Sequence, residues 1–269
     1  MADGHLQGTD SASYESVQSV EKRPGLRCWD VLTFALCWMV YFCATAVFSV
    51  LAPFFPIEAG NKGASSLMVG AIMSTSPLCV VIFSPIFGYY LPQMGVKPSL
   101  LAGSLLIGGT CVLFAFLGHL SGTIFIASCF LLELVGGIGN AMFQTSIYTH
   151  VSMLFRDHYG LSMGLMEVAA GLGYAAGPPV GGALYELGGF PLPFLVIGSI
   201  LLGLLPILFI VIKSTDCEKD QVSLKIIRKV LGNFVVICLV LSTIIGLASI
   251  TLLTPIFSPF LYNQFNLNW

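Results

Sequence analysis

Charge is what this chain has least of. Asp, Glu, Lys and Arg together make up 9% of its 269 residues, against about 25% in soluble globular domains. That shortage excludes a water-soluble globular protein. With 11 Lys and Arg set against 13 Asp and Glu, no basic patch for nucleic acid can form, and the apolar content excludes a disordered chain. Catalytic signatures are lacking too. No G-x-S-x-G, HExxH, P-loop or dinucleotide-binding fingerprint falls on a suitable segment, so the chain reads as no enzyme and implies no cofactor. The eight cysteines include no CxxC pair and six lie inside apolar runs, which indicates neither a disulfide framework nor a zinc site. His119, His150 and His158 fall in connections without metal-ligand spacing.

What the chain has is apolar length. Hydrophobic residues account for 56% and the mean hydropathy is +0.91. A transmembrane β-barrel would alternate apolar and polar residues, whereas these runs are continuous, so the chain reads as an all-α integral membrane protein in a lipid bilayer. Six spans are expected near 31–53, 68–91, 99–118, 123–148, 161–185 and 190–212, with a seventh near 230–254. Residues 1–30 are polar and lack an apolar signal region, the pattern of a disordered tail. Ten of the eleven Lys and Arg fall in the tail or in the second, fourth and sixth connections, five of them between 213 and 229, and only Lys62 falls on the other side. The positive-inside rule then places the N-terminus and the basic 213–229 loop in the cytoplasm. Trp29 and Trp38 fit interfacial anchors of the first span.

The ends of the first and seventh spans repeat one another: Leu51, Pro53 and Phe55 match Leu253, Pro255 and Phe257. A parallel repeat of six spans per half is one transporter architecture. On that pattern residues 31–212 are an N-terminal six-helix half. Residues 230–269 then hold the first helix of a second half, incomplete here, as in a fragment or a truncated product.

The fifth span carries Gly173-x3-Gly177-Pro178-Pro179-x-Gly181-Gly182. Gly173, Gly177 and Gly181 fall on one helical face and admit a neighbouring helix at close range. Pro178 and Pro179 free the carbonyls of Tyr174 and Ala175 and are expected to bend the helix. A packing kink is the plainer reading of the same residues.

Acids inside the spans cost about 2.5–3.5 kcal/mol each on insertion scales and mark ion or substrate pathways. Glu133 sits near the middle of span four, and Asn140, Gln144 and Tyr148 follow on the same face. Glu167 lies a third of the way into span five, with Tyr174 two turns on. Tyr41, Thr45 and Ser49 make a polar face on span one. Each set suits a water-lined cavity, the reading preferred for Glu133 and Glu167, and each also suits hydrogen bonding between neighbouring helices, the plainer reading for Tyr41, Thr45 and Ser49. No Lys or Arg lies inside any span, so a cavity lined by these acids selects cations. Glu58 and Glu186, at the non-cytoplasmic ends, are expected to be solvated.

The G-x3-G-P-P-x-G-G string resembles the fifth-helix antiporter motif of the major facilitator superfamily. Gly88-x6-Gly95-x-Lys97 is similar to that family's cytoplasmic loop signature, although Pro92 and Gln93 stand where its acidic and basic residues belong. Gly137-x-Gly139-x-Ala141 resembles its fourth-helix motif, with Glu133 in place of the usual buried arginine. Within the superfamily, residues 51–65 and 171–188 resemble the vesicular amine transporter family and its polyamine branch.

The resemblance implies a bundle whose first and fourth helices line a central cavity and whose fifth-helix motif packs near the lumenal closure. It implies proton-coupled antiport of small organic cations such as polyamines, in a vesicular or endolysosomal membrane, with the plasma membrane as the alternative. In that scheme Glu133 attracts ammonium groups, Glu167 couples protons, and the fifth-helix glycines let helices rock. A half alone does not enclose a site. The chain is therefore expected either to need the missing half, or a second copy of itself, or to be a non-transporting regulatory isoform. A seven-helix receptor fits the span count, but the charge bias sets the N-terminus inside, and no Asp-Arg-Tyr follows span three.

Overall fold

The computed structural model describes residues 28–213 and scattered positions between 232 and 245. The expected seventh span is described only at those scattered positions, and the 213–229 loop beyond Lys213 and the tail before Cys28 lie outside the described residues. The chain divides into two units, 1–32 and 33–269. Of the first, only the opening turn of a helix is described.

Six α-helices occupy the described residues: α1 (Cys28–Asn61), α2 (Ser66–Met94), α3 (Val96–Phe116), α4 (Gly122–Leu154), α5 (Tyr159–Gly188) and α6 (Pro191–Val211). Short 3₁₀ turns, Leu117–His119 and Arg156–His158, follow α3 and α4. The helices outrun the apolar stretches that predict them, because in a helix every backbone group is satisfied whether or not the side chains are apolar. α4 thus runs on past Tyr148, and His150, expected in a connection, is a helical residue only 5% exposed.

Five of the six helices are long and apolar enough to cross a membrane. α5 is the one that is not, its hydropathy lowered by glycine, tyrosine and Glu167. It has the length to cross and is continuous through Pro178 and Pro179.

Corners between helices are tight. Ser65 caps α2 by accepting from the Met68 amide. Gly95 both ends α2 and begins α3 at φ 83°, a left-handed conformation that a Cβ would strain.

Buried apolar residues form two clusters, one at each end of the bundle. One gathers Cys37–Ala44, Leu100, Val151, Met166 and Ile212, near the starts of α1, α3 and α5 and the ends of α4 and α6. The other gathers Phe55, Ala59, Val69, Leu117, Phe125 and Phe190, at the opposite ends. Successive helices therefore alternate in direction.

In lipid there is no hydrophobic drive between helices, so close packing carries association. α4 is packed through its glycines. A Cβ at Gly139 would meet Leu106 Cβ at 2.5 Å, and one at Gly137 would meet the Ser76 Cα and the Cys79 Cβ at 2.8 Å. From α3, Gly103 faces the Phe143 backbone at 2.6 Å in the same sense. Large apolar side chains such as Leu67, Val81 and Ile210 point outward, as lipid-facing residues do.

Lys62, just beyond α1, is folded inward. Its Nζ donates to the carbonyls of Gly118 at 2.6 Å, Leu120 at 2.7 Å and Leu117 at 3.4 Å. It also sits 3.5 Å from Glu58 and 4.6 Å over the Phe125 ring. The ammonium thereby satisfies carbonyls left open where α3 ends. Glu58 is consequently ion-paired and half-buried, not free in solvent as expected.

Candidate functional site

The sequence-predicted polar residues separate into two groups. In the first, Tyr148 of α4 donates to Glu167 Oε1 of α5 at 2.5 Å, and its hydroxyl lies 2.8 Å from that of Tyr41 on α1. Each hydroxyl owns one hydrogen. With Tyr148 donating to a carboxylate, Tyr41 must be the donor in the Tyr41–Tyr148 bond. The chain therefore runs Tyr41 to Tyr148 to Glu167, from a residue 5% exposed to an exposed carboxylate. Tyr174, two turns beyond Glu167, is also exposed on α5.

Thr45 and Ser49 do not extend this chain. Thr45 Oγ1 donates to the carbonyls of Tyr41 and Phe42 on its own helix. Ser49 Oγ lies 3.2 Å from the carbonyls of Ala46 and Gly173. Both side chains sit where α1 meets α5. A Cβ at Gly173 would collide with Thr45 Oγ1, and one at Gly177 with Ser49 Oγ. Of these two, Ser49 alone hydrogen-bonds across to α5, and Thr45 bonds within α1.

Of the remaining motif residues, Gly181 is buried, Pro178 is half-buried, and Gly182 has open space where a Cβ would be. Trp38, expected as an interfacial anchor, donates its indole N–H to the Leu165 carbonyl at 2.9 Å and so ties α1 to α5 as well.

The second group surrounds Glu133, which is 8% exposed. One turn on in the same helix, Gly136 faces Thr110 of α3 and Gly137 faces Ser76 and Cys79 of α2, which sets this part of α4 in the α2–α3–α4 interface. Among the described residues the Glu133 carboxyl has no hydrogen-bond or ion-pair partner, and no cluster there suits a metal ion. Ser76, which Gly137 abuts, has a buried Oγ that also lacks a partner among the described residues.

Between the groups Gln144 donates to Asn140 at 3.1 Å. Glu133 and Tyr148 are fifteen residues apart on one continuous helix, which is about 22 Å along its axis. The two acids are thus separate stations. One helical face holds all four polar residues of α4, but its neighbours change from α2 and α3 at Glu133 to α1 and α5 at Tyr148.

In the loop motif, a Cβ at Gly88 would make only ordinary contact with Thr145, and Gly95 is the α2–α3 corner. Lys97 finds no carboxylate among the described residues. Its Nζ lies 4.5 Å over the Phe209 ring of α6, a cation–π contact in place of an ionic latch.

Comparison with known proteins agrees with this architecture. Residues 37–269 match the Major Facilitator Superfamily. The MFS-type transporter SLC18B1 of Mus musculus is 40% identical over 174 residues, covering 64% of this chain and 38% of that protein. The MFS-type transporter SLC18B1 of Rattus norvegicus is 35% identical over 224 residues, covering 82% and 48%. The vesicular acetylcholine transporter of Rattus norvegicus is 25% identical over 154 residues, covering 56% and 27%. The chain spans less than half the length of each of these relatives. With an all-helical bundle of membrane-crossing length and a match over most of its residues, the chain belongs to the major facilitator superfamily of membrane transporters.

Proposed function

We propose that the six-helix bundle is half of a secondary transporter that exchanges protons for small organic cations, amines or polyamines, across a vesicular membrane. One observation carries the reading: the hydrogen-bonded line Tyr41–Tyr148–Glu167, which joins α1, α4 and α5 and ends in an acid with no basic partner among the described residues. The vesicular acetylcholine transporter among its relatives is named for an organic cation, which supports the same class. In the proposal the Lys97, Arg156 and Lys213 end of the bundle faces the cytoplasm, together with the N-terminus.

The exchange follows from hydrogen accounting. When Glu167 is ionised, Tyr148 donates to it and Tyr41 donates to Tyr148. When Glu167 takes up a proton, the carboxyl donates to Tyr148. Tyr148 then turns its hydrogen to Tyr41, and Tyr41 turns its own away. A single proton reverses the polarity of a line crossing three helices, and it removes the negative charge that holds an ammonium. Proton and cation are therefore alternatives at one group, the condition for antiport. Glu133, about 22 Å along α4 from Tyr148, is a second acidic station that keeps the bundle interior favourable to cations. Alternating access needs two bundles around one site. The second is either further sequence of the same protein or another copy of this chain.

The test is uptake of labelled spermidine and acetylcholine into acid-loaded vesicles bearing the 269-residue chain, alone and beside a complementary six-helix half. Uptake that collapses with the proton gradient, and that Glu167→Gln uncouples from it, is the expected result. Uptake indifferent to the gradient and to Glu167→Gln refutes proton exchange at this group. If no cation enters under any pairing, the transport reading itself fails.

A further inference from the structure

Between the end of α4 and the start of α5 lies an open cleft of about 440 Å³, lined by Tyr148, Thr149, Ser152, Tyr159, Met163 and Glu167. Four of these residues were not singled out by the sequence. The state of their hydrogens is informative. Tyr148 donates to Glu167. Thr149 Oγ1 donates to the Thr145 carbonyl at 2.7 Å, and Ser152 Oγ donates to the Thr149 carbonyl at 2.8 Å. A hydroxyl has one hydrogen and two lone pairs, so all three offer a ligand only lone pairs. Glu167 adds the free oxygen Oε2. Among the described residues no Lys, Arg or His lines the cleft. On α4 and at Glu167 the polar wall is therefore made of acceptors; the Tyr159 hydroxyl can donate or accept, and the rest is two tyrosine rings and a thioether.

We propose that this cleft is a binding site for an alkylammonium group that carries N–H bonds. The charged head would meet Glu167 and donate its hydrogens to Thr149 and Ser152. The tyrosine rings would face the cation, and Met163 would cover the first methylenes. The volume falls within the range of small-molecule sites. A primary ammonium has three hydrogens to donate, and a quaternary one has none. The site thus discriminates between two cations of equal charge, which an acid alone does not. This proposal rests on the reading of Glu167 as a cation-binding group and specifies its ligand.

The experiment is titration calorimetry of the 269-residue chain in lipid nanodiscs with butylammonium and with tetramethylammonium. Butylammonium is expected to bind at least about tenfold more tightly, the effect of one lost hydrogen bond to a charged group. Tyr159→Leu should weaken butylammonium about five- to tenfold through the lost ring face, and Ser152→Ala should narrow the difference between the two cations. Both positions lie away from the two cores, and unchanged melting of each variant establishes that it folds.

Equal binding of the two cations overturns the proposal. So does butylammonium binding that is unaffected by Tyr159→Leu and Ser152→Ala but lost in Glu133→Gln. In that case the transport reading survives with its cation elsewhere. Absence of ammonium binding to a chain that melts normally also overturns the cleft, while gradient-driven spermidine uptake would still stand for transport.

Discussion

The contact between α1 and α5 makes a sharp prediction about which glycines of the fifth helix are replaceable. Replacing Gly173 with Ala builds a Cβ 2.6 Å from the Phe42 carbonyl oxygen and inside the Thr45 hydroxyl, whereas ordinary contacts begin near 3.4 Å. The Phe42 oxygen is backbone and cannot rotate away, so the two helices must separate by about 0.8 Å. That separation also stretches the bond from Ser49 Oγ to the Gly173 carbonyl, already 3.2 Å. Overpacking costs about 1–3 kcal/mol and a hydrogen bond between membrane helices about 0.6 kcal/mol on average. Gly173→Ala is therefore expected to destabilise the bundle by roughly 2–4 kcal/mol.

Gly171→Ala, in the same helix with open space at its Cβ position, should be neutral or slightly stabilising through helix propensity. Gly177→Ala meets the Ser49 hydroxyl first, so Ser49→Ala should recover part of its loss, and no side-chain change should recover Gly173→Ala. Thermal unfolding in detergent, followed with a thiol-reactive dye that reports the buried Cys37 and Cys43, measures all four variants. Equal stability of Gly173→Ala and Gly171→Ala would refute the packing argument.

Three further outcomes follow from the same structure. Tyr148→Phe removes both hydroxyl contacts of the line. It should cost roughly 1 kcal/mol or less in stability while flattening the dependence of spermidine uptake on the proton gradient; an unaltered gradient dependence counts against the line. Lys62→Met leaves the carbonyls of Gly118 and Leu120 without their donor and should cost about 1.5–3 kcal/mol, read by the same unfolding assay. Glu133→Gln removes an unpaired acid from the α2–α3–α4 interface and should leave stability unchanged or raise it by up to about 3 kcal/mol; a destabilised Glu133→Gln would mean that the carboxylate has a partner holding it.

Composition and run length alone disclose the class of this fold, because a backbone in lipid has few alternatives to helix. The small residues at Gly173, Gly177, Gly137 and Gly139 are legible as close-approach positions for the same reason. Which helix approaches them is not. Gly137 meets α2 while Gly139 meets α3, and a helical wheel shows only that the two residues point differently. The row from Glu133 to Tyr148 teaches the same lesson. The periodicity correctly sets four polar residues on one face, yet a helix of that length changes partners along its course, so one face belongs to two environments.

Span ends were the least legible feature. His150 and Glu58 lie where hydropathy has already fallen but the helix or its immediate contacts continue. The inward fold of Lys62 has no local signal at all, since its carbonyl partners are more than fifty residues away.

That inward fold bears on traffic at the surface. Lys62 is the one Lys or Arg among the described residues at its end of the bundle, and its ammonium is neutralised by Glu58 and enclosed by carbonyls. Arg156, in contrast, is exposed at the opposite end. A cation diffusing toward the Lys62 face meets no outward-pointing positive side chain among the described residues but does meet the exposed Glu186, so its encounter is attractive and salt should slow it. Encounters at the Arg156 face carry a repulsive term that salt relieves over a Debye length of about 8 Å. The bundle thus has an electrostatic direction even where its net charge is nearly zero.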